Sequence, residues 1–239
     1  MVVQDAQGVK QALAQRANKD DAVFLQRFFK TGPGQYGEGD VFIGVRVPQT
    51  RTICRQFRRL PLPEVQKLLA SDVHEHRLAA LIIMTYAYPA ADAVTKQAIY
   101  ELYLKNLYDG NINNWDLVDA SAEYIVGPYL SDKPKDILYE LARSEDIWQR
   151  RVAILSTFAY IKQGNPSTTL DLAELLLHDP HDLLQKAVGW MLREVGKRVD
   201  EKVLTDFLDL HAPEMPRTML RYSIERLSPE QRTAYMKLK

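Results

Sequence analysis

One cysteine in 239 residues, Cys54, excludes internal disulfides and cysteine-rich metal sites, a usage that fits a reducing compartment. Long apolar runs are lacking as well. The longest, from Leu78 to Ala87, is far shorter than a bilayer requires, and the N-terminal stretch MVVQDAQGVKQALAQRANKDD has no apolar centre of the kind a signal peptide carries. These features predict a soluble cytoplasmic protein without membrane contact. Neither sign of charge is in excess, since 31 Lys and Arg face 31 Asp and Glu for a formal net charge of +0. A polyanion could therefore be held only by cations gathered on one side of the fold.

Familiar catalytic signatures are equally scarce. Of the five histidines, His74 and His76 are two apart and diverge on a helix, while His178 and His181 flank Pro180, so no metal-ligand spacing emerges and no metal or cofactor is expected. No Gly-x-Ser-x-Gly turn, Walker lysine loop or cysteine–histidine pattern is present. Gly32, Gly34 and Gly37 formally spell G-x-G-x-x-G. Pro33 interrupts it and no strand pattern precedes it, so Thr31 to Asp40 reads as a surface loop or lid rather than a dinucleotide-binding turn.

What is present in quantity is helical periodicity. Hydrophobic residues make up 46% of the chain and recur at spacings of three and four, as in Leu138, Leu141 and Ile147 and again in Ile154, Leu155, Phe158 and Ile161. Convincing alternation of the strand type is absent. Pro48, Pro63, Pro89, Pro134, Pro166, Pro213 and Pro229 mark helix starts, with Ser228 placed to cap the last. Aligning the helices brings Arg77, Trp115, Arg151, Lys186 and Arg217 into corresponding places at intervals of roughly 31 to 38 residues, the period of a helix-pair repeat. The pattern predicts an all-α, HEAT-like helical-repeat solenoid forming a single curved domain over residues 1–239. Four of the five aligned positions carry a cation, which predicts a basic concave wall. Solvated helix faces and protein-binding scaffolds of this type can carry similar cation ladders.

Asn113-Asn114-Trp115-Asp116-Leu117-Val118-Asp119 opens with a capping Asn and sets Trp115 and Asp119 four residues apart on one helical face. An aromatic ring beside a carboxylate in a partly apolar cleft can stabilise a developing cation. The same spacing also suits a packed tryptophan next to a solvated aspartate. Farther on, Gln185, Lys186, Trp190 and Arg193 share one helix, and Trp148 reads as a structural core residue.

FIGVRVPQTR, NNWDLVDAS, EDIWQRRVAIL and LLQKAVGWMLREVGK, in this order and spacing, resemble the AlkD-type DNA alkylation-repair glycosylases along almost the whole chain. In that family an Asp and two Trp line the site with an Arg beside them, and the matching positions here are Asp119, Trp115, Trp190 and Arg151. The resemblance implies a basic surface that grips duplex DNA by its backbone and removes N3- and N7-alkylated purines without flipping the base into a pocket. Asp119 would stabilise the sugar cation and align water, Trp115 and Trp190 would contact the deoxyribose, and Arg151 would anchor a phosphate. DNA contacts are expected from Arg46, Arg51, Arg55, Gln185, Lys186, Arg193, Arg217 and Arg221. Some family members carry Gln where Arg46 stands, and Phe28 falls near an aromatic position of the family without a hydroxyl to donate. A monomer acting on double-stranded DNA that contains alkylated bases is the expected assembly. The competing reading is a catalytically silent HEAT-like module that binds DNA structures or a protein partner.

Overall fold

The computed structural model describes residues 4–238, and their regular structure is helical. Among them the one extended pairing is an isolated parallel bridge between Val41 and Val73. The all-α class read from the periodicity is the class observed. The chain divides into two compact units, Met1–Ile125 and Val126–Lys239.

Unit 1 begins with α1 (Ala6–Ala14), α2 (Lys19–Phe28), α3 (Val47–Gln56), α4 (Leu62–Leu69) and α5 (His74–Ala87). A 3-10 turn at Tyr88–Ala90, then α6 (Ala93–Tyr108) and α7 (Trp115–Asp119), follow, and α8 (Ala122–Tyr129) runs past its end. Helix α5 is apolar on every side from Leu78 to Met84, and a helix of that kind is stable only when enclosed. It is accordingly buried, with α1, α3, α4 and α7 packed around it. The glycine-rich segment 31–40 crosses the surface and ends on a buried residue, Asp40. Gly44, just beyond it, has φ +81, and a Cβ there would stand 2.0 Å from the Asn18 carbonyl oxygen. Only glycine fits that approach to α2.

Unit 2 holds α9 (Asp136–Ala142), α10 (Ile147–Ser156), α11 (Phe158–Ile161), α12 (Ser167–Leu175), α13 (Asp182–Arg198), α14 (Glu201–His211), α15 (Arg217–Ser223) and α16 (Pro229–Lys237). Its centre is α13, against which α10, α14 and α15 pack. The apolar run Ile154–Ile161 is broken at Thr157 into α10 and α11, a step the spacing of its hydrophobic residues does not register. Ser228 caps α16 in a reciprocal box with Gln231, as its place before Pro229 suggests. Pro213 falls in the turn after α14 instead, and Pro216 is the N-cap of α15.

A shared register runs through both units. Arg77, Arg150 and Gln185 are each the fourth residue of their helix, and each donates a side-chain hydrogen bond to the carbonyl six residues back, on Ser71, Ser144 and Asp179. Arg151 and Lys186 are one residue farther on, whereas Trp115 and Arg217 head their helices. Counted from the helix starts, Arg77 thus corresponds to Arg150 and Gln185, a slip of one from the alignment of cations by sequence.

Candidate active site

The short helix α7 carries Trp115 at its first position and Asp119 at its last. Asn114 caps it, its Oδ1 accepting from the Trp115 N–H at 2.9 Å, and its own side-chain amide donates to Asp40 Oδ2 at 3.2 Å. Asn113 donates to the other oxygen of Asp40 at 3.1 Å. Asp40 also receives the guanidinium of Arg77, and His74 Nδ1 donates to it at 2.8 Å. The far side of the same imidazole, Nε2, donates to Asp116 Oδ2 at 2.9 Å. His74 is 1% exposed and Asp40 2%. Two carboxylates and two cations are thereby gathered together, Asp40, His74 and Arg77 buried and Asp116 partly so, which is tolerable because each charge has an opposite one in contact.

This hub shifts its own members. Burial opposes the charge on Asp40, yet the His74 hydrogen bond and the Arg77 guanidinium prevail and lower its carboxyl to about 2. For His74 burial is again the largest single influence and acts against protonation, but the Asp116 and Asp40 carboxylates together raise the imidazole to about 9. At neutral pH the ring is a cation.

Beside the hub lies an open cavity of about 410 Å³ walled by Phe24, Phe28, Phe29, Phe42 and Trp115, with Arg46 at its edge. Trp115 stacks on Phe29 at 5.2 Å between centroids and meets Phe28 edge-on at 6.0 Å. Phe24 and Phe28 stack on each other, and both are 50% exposed. Arg46 pairs with Asp21 at 2.5 Å and lays its guanidinium 4.8 Å from the centre of the Phe24 ring. Asp119, one turn beyond Trp115, is not in the cavity wall. Burial, and to a lesser degree the Asp119 carboxylate, push the Tyr103 phenol above its ordinary value against the Ser121 hydrogen bond. Arg51 on α3 is half-buried and Arg55 exposed.

In unit 2, Arg151 is 5% exposed and donates from Nη1 to the Leu183 carbonyl at 2.5 Å. Lys186 pairs with Asp182 at 2.6 Å, and Arg193 pairs with Glu225 and lies 3.7 Å from Glu194. Trp190 is half-buried and meets Phe158 edge-on at 5.9 Å. Trp148 is buried. Arg217 donates to the Met236 carbonyl at 2.8 Å, and both it and Arg221 are exposed. Among the described residues no group of three His, Cys, Asp or Glu could hold a metal ion, and no helix is long and apolar enough to cross a membrane.

The model of the DNA alkylation repair enzyme family matches residues 9–227, nearly the whole chain. The chain belongs to the DNA alkylation repair enzyme family. Its role is therefore in the repair of alkylation damage, with DNA as substrate. A solved structure of similar fold is a predicted DNA alkylation repair enzyme from Enterococcus faecalis. Its TM-score is 0.69 at 16% identity, over 90% of this chain and 98% of that one. No curated protein matches the sequence significantly.

For this DNA alkylation repair chain, sequence reasoning reached Trp115, Asp119 and Arg46 but missed the hub beneath them. Asp40, His74, Arg77 and Asp116 share no periodicity, and no two helical turns bring them together. Metal-ligand spacing is the wrong question to ask of His74, whose partners are carboxylates. The one available hint was a charged cluster, His74-Glu75-His76-Arg77, at the head of the most apolar helix. Charges in that position need buried partners.

Proposed function

We propose that the protein is a monomeric, monofunctional DNA glycosylase that hydrolyses the N-glycosidic bond of cationic N3- and N7-alkylpurines in duplex DNA, without flipping the base. The observation that carries this reading is α7. A five-residue helix, held by a buried ionic hub, presents an aromatic ring on an open cavity wall and a half-exposed carboxylate one turn away. Membership of an alkylation repair family supports it.

In the proposed reaction the C1′–N bond breaks, the bonding pair goes to the base, and a cationic alkylpurine leaves neutral. The sugar becomes oxocarbenium-like and adds water at C1′, and a proton from that water passes to solvent. Asp119 faces that positive charge and aligns the water, while Trp115 contributes the electron-rich face of its ring. Arg51 and Arg55 in unit 1 and Gln185, Lys186, Arg193, Arg217 and Arg221 in unit 2 contribute contacts to the duplex backbone. Uracil or hypoxanthine would have to leave as an anion or be protonated first, so neither is a substrate.

The test is base release from a duplex containing N7-methylguanine. Wild type should liberate the free base, and Asp119→Asn should reduce the rate by on the order of a hundredfold while still binding undamaged duplex. Tight binding with no release by wild type would instead identify a silent DNA-binding module. Efficient uracil release, abolished in Asp119→Asn, would refute the mechanism.

A further inference from the structure

Five residues are too few for α7 to hold itself as a helix, so its position is set from outside. Its leading residues are tied to the hub four times: Asn113 and Asn114 to Asp40, Asn113 also to Arg77, and Asp116 to His74. The last tie reaches into the helix itself. The other oxygen of Asp116, Oδ1, is buried with no hydrogen-bond partner, so the hydrogen bonding of that carboxylate rests on the imidazole. The ring is itself confined, with Phe42 4.4 Å from it on one contact and Phe29 5.2 Å on another.

We infer that His74, hydrogen-bonded at once to Asp40 and Asp116, is a positioning residue that pins α7 and so sets where Trp115 and Asp119 stand. The inference rests on the excision reaction proposed above. A protonated imidazole donates from both nitrogens, whereas a neutral one has a single N–H and turns a lone pair toward one of the two carboxylates. Loss of the proton would leave the partly buried Asp116, its Oδ1 closed off from water, without a counter-charge, and α7 would shift to hydrate it.

The charged surroundings decide when this happens. Asp40 faces the ring from the segment ahead of α3 and Asp116 from α7. On its own helix, Arg77 is paired with Asp40, and the Glu75 carboxylate accepts the backbone N–H groups of Ile43, Gly44 and Val45. The C-cap of α2, Phe29, brings only an uncharged ring. The two carboxylates in direct contact hold the ring's pKa at about 9 despite its burial, so the step falls on the alkaline side.

The deciding measurements run from pH 6 to 10. They follow the imidazole nitrogen shifts of His74 by NMR, the emission of Trp115 in a Trp148→Phe, Trp190→Phe background, and single-turnover release of N7-methylguanine corrected for uncatalysed loss. All three should change together with a midpoint near 9. Beyond it the release rate should drop about tenfold per pH unit while duplex affinity holds. His74→Gln, which can serve one carboxylate but never carries charge, should abolish the alkaline step and slow release at neutral pH by roughly a hundredfold. Titration of His74 near its ordinary value, or Trp115 emission that stays flat to pH 10, would overturn the inference. Both are read on protein whose His74 is intact, so a misfolded variant does not blunt the test. An alkaline step in Trp115 emission without base release under any condition would uphold the clamp on α7 and sink the excision reading.

Discussion

Both units place an arginine on the fourth residue of an inner helix, bound to a carbonyl six residues back and to a buried aspartate, and they use it differently. In unit 1 the aspartate, Asp40, gathers His74, Arg77, Asn113 and Asn114 from two separate parts of the chain. In unit 2 the aspartate, Asp179, receives Arg150 at 2.7 Å and the His181 N–H at 2.9 Å, a local arrangement that ties one helix entry to another. The same repeat position thus serves as ordinary loop anchoring in unit 2 and as the support of the candidate site in unit 1. The difference lies in a second cation, His74, with no counterpart at the head of α10, where Ile147 stands.

The largest effect expected of this contrast is on stability. Asp40→Asn leaves the buried Arg77 without a counter-charge and His74 with Asp116 alone, and should cost about 3–5 kcal/mol in denaturant unfolding. Asp179→Asn, beside the more exposed Arg150, should cost roughly 1–3 kcal/mol. Equal losses would erase the distinction between the two anchors.

Second comes pH, because the first residue of α5, His74, and the N-cap of α13, His181, are shifted in opposite directions. His74 has a folded pKa of about 9 against an ordinary 6.5, so its stabilisation is complete below 6.5 and disappears as pH rises through 9. His181, lowered mainly by burial, accepts the Leu183 N–H on Nδ1 and stabilises as the neutral ring; that contribution is complete above 6.5 and declines as pH falls below it. His76, lowered to about 4 chiefly by burial, adds to the acid-side loss within unit 1. Below pH 9 the alkaline limb therefore isolates the hub; above it the Cys54 thiol, raised by burial from an ordinary 9 to about 12, adds a loss of its own. Thermal melts from pH 5 to 10 should lose that limb, amounting to about 3 kcal/mol, in His74→Gln. A limb that persists would assign it elsewhere.

The smallest effects concern DNA affinity. Lys186→Ala and Arg221→Ala in unit 2 should each weaken duplex binding with little sequence dependence and reduce the salt slope by about one phosphate contact. Arg46→Gln in unit 1, whose guanidinium is held both by Asp21 and against the Phe24 ring, should change the slope less than Arg221→Ala. A larger change at Arg46 than at Lys186 would move the principal electrostatic contact to the mouth of the aromatic cavity.

Helix positions were legible where the signal is local. Ser228 with Gln231, Asn114 before Trp115 and the periodic apolar stripes each act through contacts within one or two turns. The break at Thr157 and the register that pairs Arg77 with Arg150 were not, because neither alters the spacing of apolar residues. Trp115 and Asp119 could be singled out since four residues on a helix share a face. What surrounds them could not: Phe28, Phe29 and Phe42 reach Trp115 from α2 and the following segment, more than seventy residues upstream.

By itself, then, the sequence determined the helical class, several helix starts and the family, all of which depend on residue type and short-range order. The tertiary structure alone decided which charges are buried together. Asp40, His74, Arg77 and Asp116 become one ionic hub because the enclosed head of α5 meets two distant chain segments, and the energy of a charge depends on its neighbours and its distance from water rather than on its place in the chain.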